Sequence, residues 1–285
     1  MKVADAMTPR SALVTVELPG SRDDALEYLQ EREFSSVPVV KNENGTEEFR
    51  GLVSREGLIE QPDEDQLALL LEEVPTTTEE TSIEELAGLM LREGARRVPV
   101  VDGQLEGIVT ITDVIHAIAN GDVEGDVEVG GLAARHVNCI HAETPLPVAE
   151  RELYYADEPY AVVLDDEGEP CGILTEVDII EVAEVVEGEE RTGDSMAGDD
   201  DDWKWESIKA VGNRYLPTRN VEIPDAPVRE FMTEDVVTVT KRRTAREAAQ
   251  LMIRHDIEQI PMTSGNELIG ILQDTHLLEA LDERA

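Results

Sequence analysis

The sequence predicts an α+β chain of four tandem strand-helix-strand-strand-helix repeats, associated as two pseudo-symmetric pairs. Three observations carry this reading. A phrase, GIVTITDVI at 107–115, has partial echoes beginning Gly51-Leu52-Val53-Ser54, Gly172-Ile173-Leu174-Thr175 and Gly270-Ile271-Leu272-Gln273. A second apolar run precedes each copy: Val37-Pro38-Val39-Val40, Val98-Pro99-Val100-Val101, Tyr160-Ala161-Val162-Val163-Leu164 and Ile260-Pro261-Met262. Further upstream, apolar residues recur at helical spacing. Such fixed order is the signature of a repeated supersecondary unit.

Repeat 1 is assigned to 1–62, with a helix carrying Ser21, Ala25, Leu26 and Leu29. In repeat 2, at 63–122, Ile83, Leu86, Ala87 and Met90 fall on one helical face; Ser82 and Glu85 form a capping box, and Gly94 is the stop. In repeat 3, at 123–187, Thr144-Pro145-Leu146-Pro147 opens a helix because proline is tolerated in a first turn. The stretch Tyr154 to Pro159 predicts that this helix is shortened. Residues 188–227 read as an acidic linker that ends in a segment holding both tryptophans, Trp203 and Trp205. That segment, Trp203 to Arg219, is either a docking element rich in contact-forming residues or a linker packed on the module beneath it. Repeat 4, at 228–285, has Thr244 and Glu247 as its box and Ala245, Ala248, Ala249 and Met252 along one face. Asn44-Gly45, Asp102-Gly103 and Gly265-Asn266 supply turns between the paired strands. A unit of roughly 55 to 60 residues buries too little surface to stand alone comfortably, so pairing is expected. Pairing within one chain, and pairing between chains as a homodimer, both meet that need.

Composition limits the function classes. A hydrophobic fraction of 41% with only 4% aromatics implies cores of Val, Ile, Leu and Ala. The sequence contains no run of about 18 apolar residues, so no membrane-spanning helix is expected, and MKVADAMTPR lacks the pattern of a secretory signal. A cytoplasmic protein is expected. The 64 acidic against 24 basic residues, for a net charge of −40, resemble the composition of proteins that work in molar salt, where screening shortens to about 3 Å. An acidic protein seeking a basic partner is the rival explanation. Nucleic acid is an unfavourable ligand, since phosphate backbones call for a basic stripe. Cys139 and Cys171 are too few for a disulfide scaffold. His136, Cys139 and His141 lie close in sequence, but an extended strand turns His136 away from the face shared by the other two, so no metal site is expected.

The order of apolar helix, VPVVD, turn and GIVTxxD resembles the cystathionine beta-synthase (CBS) domain, and four copies resemble two Bateman modules. The openings Val3-Ala4-Asp5-Ala6-Met7-Thr8 and Val228-Arg229-Glu230-Phe231-Met232-Thr233 carry the same likeness. The arrangement is similar to the regulatory gamma subunit of AMP-activated protein kinase and to stand-alone archaeal CBS proteins. The resemblance implies a non-catalytic regulator whose paired domains bind AMP, ADP, ATP or an S-adenosylmethionine-type ligand as effector, with no required cofactor. It further implies a regulated partner protein, unknown from the sequence. A ligand-free assembly scaffold is the alternative.

Asp113 lies in the first turn of a helix opened by Thr110, where unpaired N–H groups and the dipole favour polar ligands. A carboxylate can accept both hydroxyl hydrogens of a ribose diol, and the family implies that role for Asp113 and Asp178, with Thr110 and Thr175 beside them. Thr-x-x-Asp is also an ordinary capping box. Arg96 and Arg97, just ahead of Val98, stand where the family often carries phosphate-binding basic residues, which makes repeat 2 the best-equipped site. Repeat 3 has Asp157-Glu158-Pro159 there, unfavourable for phosphate. Repeat 1 has Gly57 in the aspartate's place, and repeat 4 has Gln273 and His276, so neither is expected to hold ribose in the family's manner; one ligand per pair follows.

Overall fold

The computed structural model describes residues 1–31, 36–43, 46–54, 57–58, 61, 64–189 and 217–281. Two compact units are present, one of Met1–Ala134, Val239–Met262 and Ile271–Ala285, the other of Arg135–Thr238 and Thr263–Gly270.

In the first unit, β2 (Val16–Leu18) runs parallel to β3 (Ser36–Glu43), which pairs antiparallel with β4 (Thr46–Ser54). The helix α2 (Arg22–Glu31) places Ala25 and Leu29 in a core with Val39, Val53 and Leu67. In repeat 2, α3 (Ile83–Glu93) precedes the hairpin β5 (Arg97–Asp102) and β6 (Gln104–Thr110), and α4 (Ile111–Asn120) follows. The start of α3 is set by a reciprocal box: Glu85 N donates to Ser82 Oγ at 3.1 Å, and Ser82 N donates to Glu85 Oε2 at 3.2 Å. Its end is Gly94 at φ 63°. Ile83, Leu86, Ala87 and Met90 are all buried, which is the stripe read from the sequence. Ser82→Ala removes the acceptor for a first-turn N–H and should lower stability by about 1 kcal/mol in urea unfolding.

Repeats 1 and 2 exchange arms. At the start of repeat 1, after the short α1 (Val3–Ala6), β1 (Thr8–Pro9) pairs with β6 of repeat 2 opposite Ile108 and Gly107. In return Glu72, in the arm that opens repeat 2, pairs with Leu52 of repeat 1 through two backbone bonds of 2.8 and 3.2 Å. The phrase glycine is explained by this crossing. A Cβ on Gly107 would lie 2.5 Å from the Thr8 carbonyl oxygen, and one on Gly51 would lie 2.8 Å from that of Glu72.

Repeat 4 contributes α7 (Ala245–His255), β12 (Gln259–Ser264), β13 (Glu267–Gln273) and α8 (Asp274–Glu279). Within the first unit α4 packs on α7 and α8, and α3 packs on α8, so the helices of repeats 2 and 4 share one apolar interface. Ile115, Ile118, Ala249, Met252 and Leu278 are buried. Burying an Ile or Leu side chain contributes about 1.5–3 kcal/mol, so this interface is a substantial share of the unit's stability.

In the second unit β7 (Cys139–His141) runs parallel to β8 (Tyr160–Leu164), which pairs antiparallel with β9 (Pro170–Thr175). The helices α5 (Leu146–Ala156) and α6 (Glu176–Val182) complete repeat 3, and the arm at Val228–Thr233 lies on it, with Thr233 bonded to Ile173 at 2.9 and 3.1 Å. The expected shortening of the first helix is corrected: α5 has 11 residues, as do α3 and α7. Tyr154 and Tyr155 continue the helix on its exposed side, and Asp157 ends it at φ 54°, the place taken by Gly94 in repeat 2. Behind α6, β10 (Glu184–Glu189) pairs antiparallel with β11 (Pro217–Glu222). Trp203 and Trp205 lie outside the described residues, so the two readings of their segment stand as in the sequence.

Candidate ligand-binding site

The two intact phrases adopt the same geometry. Asp113 Oδ2 accepts from Thr110 N at 2.7 Å and from Thr110 Oγ1 at 2.8 Å, while Asp113 N approaches Thr110 Oγ1 at 3.4 Å. In repeat 3 the corresponding distances between Asp178 and Thr175 are 2.7, 2.7 and 3.3 Å. Both pairs are therefore real capping boxes. One oxygen satisfies the box, and Oδ1 of each aspartate has no hydrogen-bond partner among the described residues. All four residues are half-buried, and the second oxygen is held in place by the capped helix start.

The other two phrases keep the box by different chemistry. In repeat 4, His276 Nδ1 accepts from Gln273 N at 3.0 Å, replacing a charged acceptor with a neutral one. In repeat 1, Gly57 N donates to Ser54 Oγ at 2.9 Å, and Ser54 Oγ donates to Glu72. A Cβ on Gly57 would lie 2.6 Å from Glu72 Oε1. The carboxylate missing from position 57 is thus supplied by the arm of repeat 2. Nothing in the phrase signals Glu72, because it stands 15 residues beyond Gly57 and reaches the site through arm exchange.

Arg96 and Arg97 are positioned next to Thr110. Arg97 lies opposite Thr110 in the β5–β6 ladder, and Ile111 N donates to the Arg96 carbonyl at 2.8 Å. Val98, which follows them, is fully buried and anchors the strand. Arg96 is already engaged: its guanidinium forks onto Asp274 with Nη1–Oδ1 3.1 Å and Nη2–Oδ2 2.6 Å, and Nη2 lies 3.0 Å from Glu258 Oε2. Burial works against the charge on Arg96, but the hydrogen bonds and charges of Asp274 and Glu258 outweigh it and raise its pKa. For Arg97, burial and then the charge of Arg96 press the pKa down, with Glu258 and Glu72 opposing. Asp274 and Glu258 were not legible as site residues. The available signal was an acid at position 274, where repeat 2 has the buried Ile111.

The polar residues around β7 do not converge. Cys139 and His141 share the exposed face of the strand, and His141 Nε2 lies 3.1 Å from Asp166 Oδ1. Among the described residues no group of three or more His, Cys, Asp or Glu could hold a metal ion, and no helix is long and apolar enough to cross a membrane.

The CBS domain family matches residues 3–64, 68–120, 129–184 and 228–283, and the chain belongs to it. An uncharacterized protein of Methanocaldococcus jannaschii is 27% identical over 95% of this chain, which spans 59% of that relative's length. An uncharacterized conserved protein of Pyrococcus horikoshii has a similar solved structure, with TM-score 0.70 and 28% identity, covering 99% of this chain and 100% of that one. A second M. jannaschii structure, of protein MJ1225, described as a candidate archaeal homologue of γ-AMPK, has TM-score 0.64 and 20% identity over 98% and 99% of the two chains; it supports the fold. CBS domains commonly bind adenosyl ligands and regulate partners.

Proposed function

We propose that this chain is a non-catalytic sensor in which repeat 2 binds an adenosyl ligand, with Asp113 and Thr110 at the ribose and Arg96, Arg97 and Val98 near its phosphate end. Thr175 and Asp178 form a second site in repeat 3, suited to a ligand with little or no phosphate. The observation that carries this reading is the unpartnered Oδ1 of Asp113 beside a completed capping box. The box fixes the carboxylate without exhausting it, so a helix cap and a ribose acceptor are compatible roles. The two clefts serve AMP, ADP, ATP or S-adenosylmethionine as effectors rather than as cofactors, and occupancy is passed to a regulated protein or to a second copy of the chain. The repeats are taken as 1–62, 63–122, 123–187 and 228–285, with 188–227 as the linker. The net charge of −40 fits a cytoplasmic protein that works in high salt.

A ligand-free scaffold is favoured by one specific observation, the engagement of Arg96 by two carboxylates. Thermal unfolding in molar KCl with AMP, ADP, ATP or S-adenosylmethionine separates the two. At about 100 times its dissociation constant a ligand adds roughly 2.7 kcal/mol, a shift of several degrees. An unchanged midpoint with all four would leave the scaffold.

A further inference from the structure

Within the first unit, the residues at the heads of repeats 2 and 4 are equivalent. Arg96 offers its carbonyl to Ile111 N at 2.8 Å, and Glu258 offers its own to Asp274 N at 2.8 Å. Arg96 therefore corresponds to Glu258, and Ile111 to Asp274. The side chains at these matched positions carry opposite charge and meet: Arg96 forks onto Asp274 and touches Glu258.

The three residues differ in exposure. The Asp274 side chain is 8% exposed, that of Arg96 39% and that of Glu258 68%. Asp274 is further fixed because its Oδ1 accepts from Thr275 N at 2.7 Å. A guanidinium in this setting has a buried carboxylate on one side and an accessible face on the other. The ligand phosphate proposed above to lie near Arg96 would meet the same five-donor fork that the two carboxylates now occupy.

We propose that Asp274 and Glu258 are internal rivals of ligand phosphate for Arg96, so that the repeat 2 site discriminates among adenosyl ligands by their phosphate, and a phosphorylated ligand loosens the tie between Arg96 and repeat 4. This rests on the adenosyl binding proposed above. The carboxylates lower the affinity for phosphate without touching the adenosine half, and by linkage a phosphate that takes Arg96 weakens the ion pair by the same factor. The contact thereby couples the chemistry of the ligand to the α3, α4, α7 and α8 interface, which is where a signal to a partner would start.

Titration calorimetry of the full chain with adenosine and with AMP tests the idea on Asp274→Asn and Glu258→Gln. Asp274→Asn should strengthen AMP binding relative to adenosine by about tenfold, the size expected for a charge-assisted hydrogen bond. Glu258→Gln should shift the same ratio in the same direction by a smaller factor, and adenosine affinity should be unchanged in both. Adenosine binding with an unaltered AMP-to-adenosine ratio in both variants overturns this inference and leaves the sensor reading intact. Failure of the unmodified chain to bind either compound removes the inference, and the sensor reading falls with it when ADP, ATP and S-adenosylmethionine fail as well. If Asp274→Asn does not fold, the exposed Glu258→Gln decides, and an unaltered ratio there is the overturning result.

Discussion

Asp113→Asn should weaken adenosine binding at repeat 2 by roughly a hundredfold while costing about 1 kcal/mol of stability. The separation follows from the two oxygens. Oδ2 is held by Thr110 N and Thr110 Oγ1, and an amide oxygen can keep those bonds without the charge. Oδ1 is the group proposed to meet the ribose, and in asparagine its place is taken by an NH₂ that cannot accept from a hydroxyl. Each lost charge-assisted bond is worth about 1.5–3 kcal/mol, and two ribose hydroxyls are at stake. Calorimetry with adenosine reads the affinity, and thermal unfolding without ligand reads the cap. Asp178→Asn should leave the repeat 2 site untouched. A result in which Asp113→Asn binds normally but Glu72→Gln does not would move the ligand to repeat 1, where Glu72 bonds to Ser54 as Asp113 bonds to Thr110.

The fold was largely legible because its signals are local. Ser82 with Glu85, Thr244 with Glu247, and the stripes Ile83–Met90 and Ala245–Met252 depend on spacing within one helix, and each adopts the expected arrangement. The length of α5 is not legible, because Pro159 and the paired tyrosines read as a stop, whereas Asp157 adopts the left-handed conformation that ends the helix after a full 11 residues. The site was legible only in part, for a different reason. Thr110 with Asp113 and Thr175 with Asp178 lie within one phrase each, but the charges that modify them arrive from elsewhere. Glu72 comes by arm exchange, and Glu258 and Asp274 come from a repeat 162 and 178 residues away in sequence, where only tertiary packing brings them to Arg96. Family membership accounts for what the repeats share; these contacts are features of this chain's own geometry.

Gly107→Val should be the most damaging single change in the repeated phrase, lowering stability by about 3 kcal/mol through overpacking alone. The Cβ would stand 2.5 Å from the Thr8 carbonyl oxygen, 3.0 Å from Met7 Sδ and 3.4 Å from Pro9 Cα. The nearest of these is backbone, and it cannot move aside without lifting the arm that carries β1 and the fully buried Val3. Gly172 supplies the comparison. Its Cβ would meet Met232 Sδ at 2.3 Å and Met232 Cγ at 2.9 Å, closer in distance but against an unbranched side chain that can change rotamer. Gly172→Val should therefore cost less than Gly107→Val, although the raw overlap is larger. Gly131→Ala, with nothing within 4 Å of the added carbon, is the reference for a harmless change. Urea unfolding of the three variants should rank them in that order. Equal losses at 107 and 172 would mean that strand packing, and not the crossing arm, demands the glycine. The expected order instead makes the phrase a joint between repeats first and a ligand site second, which is why repeat 4 can replace its aspartate by His276 and keep its glycine.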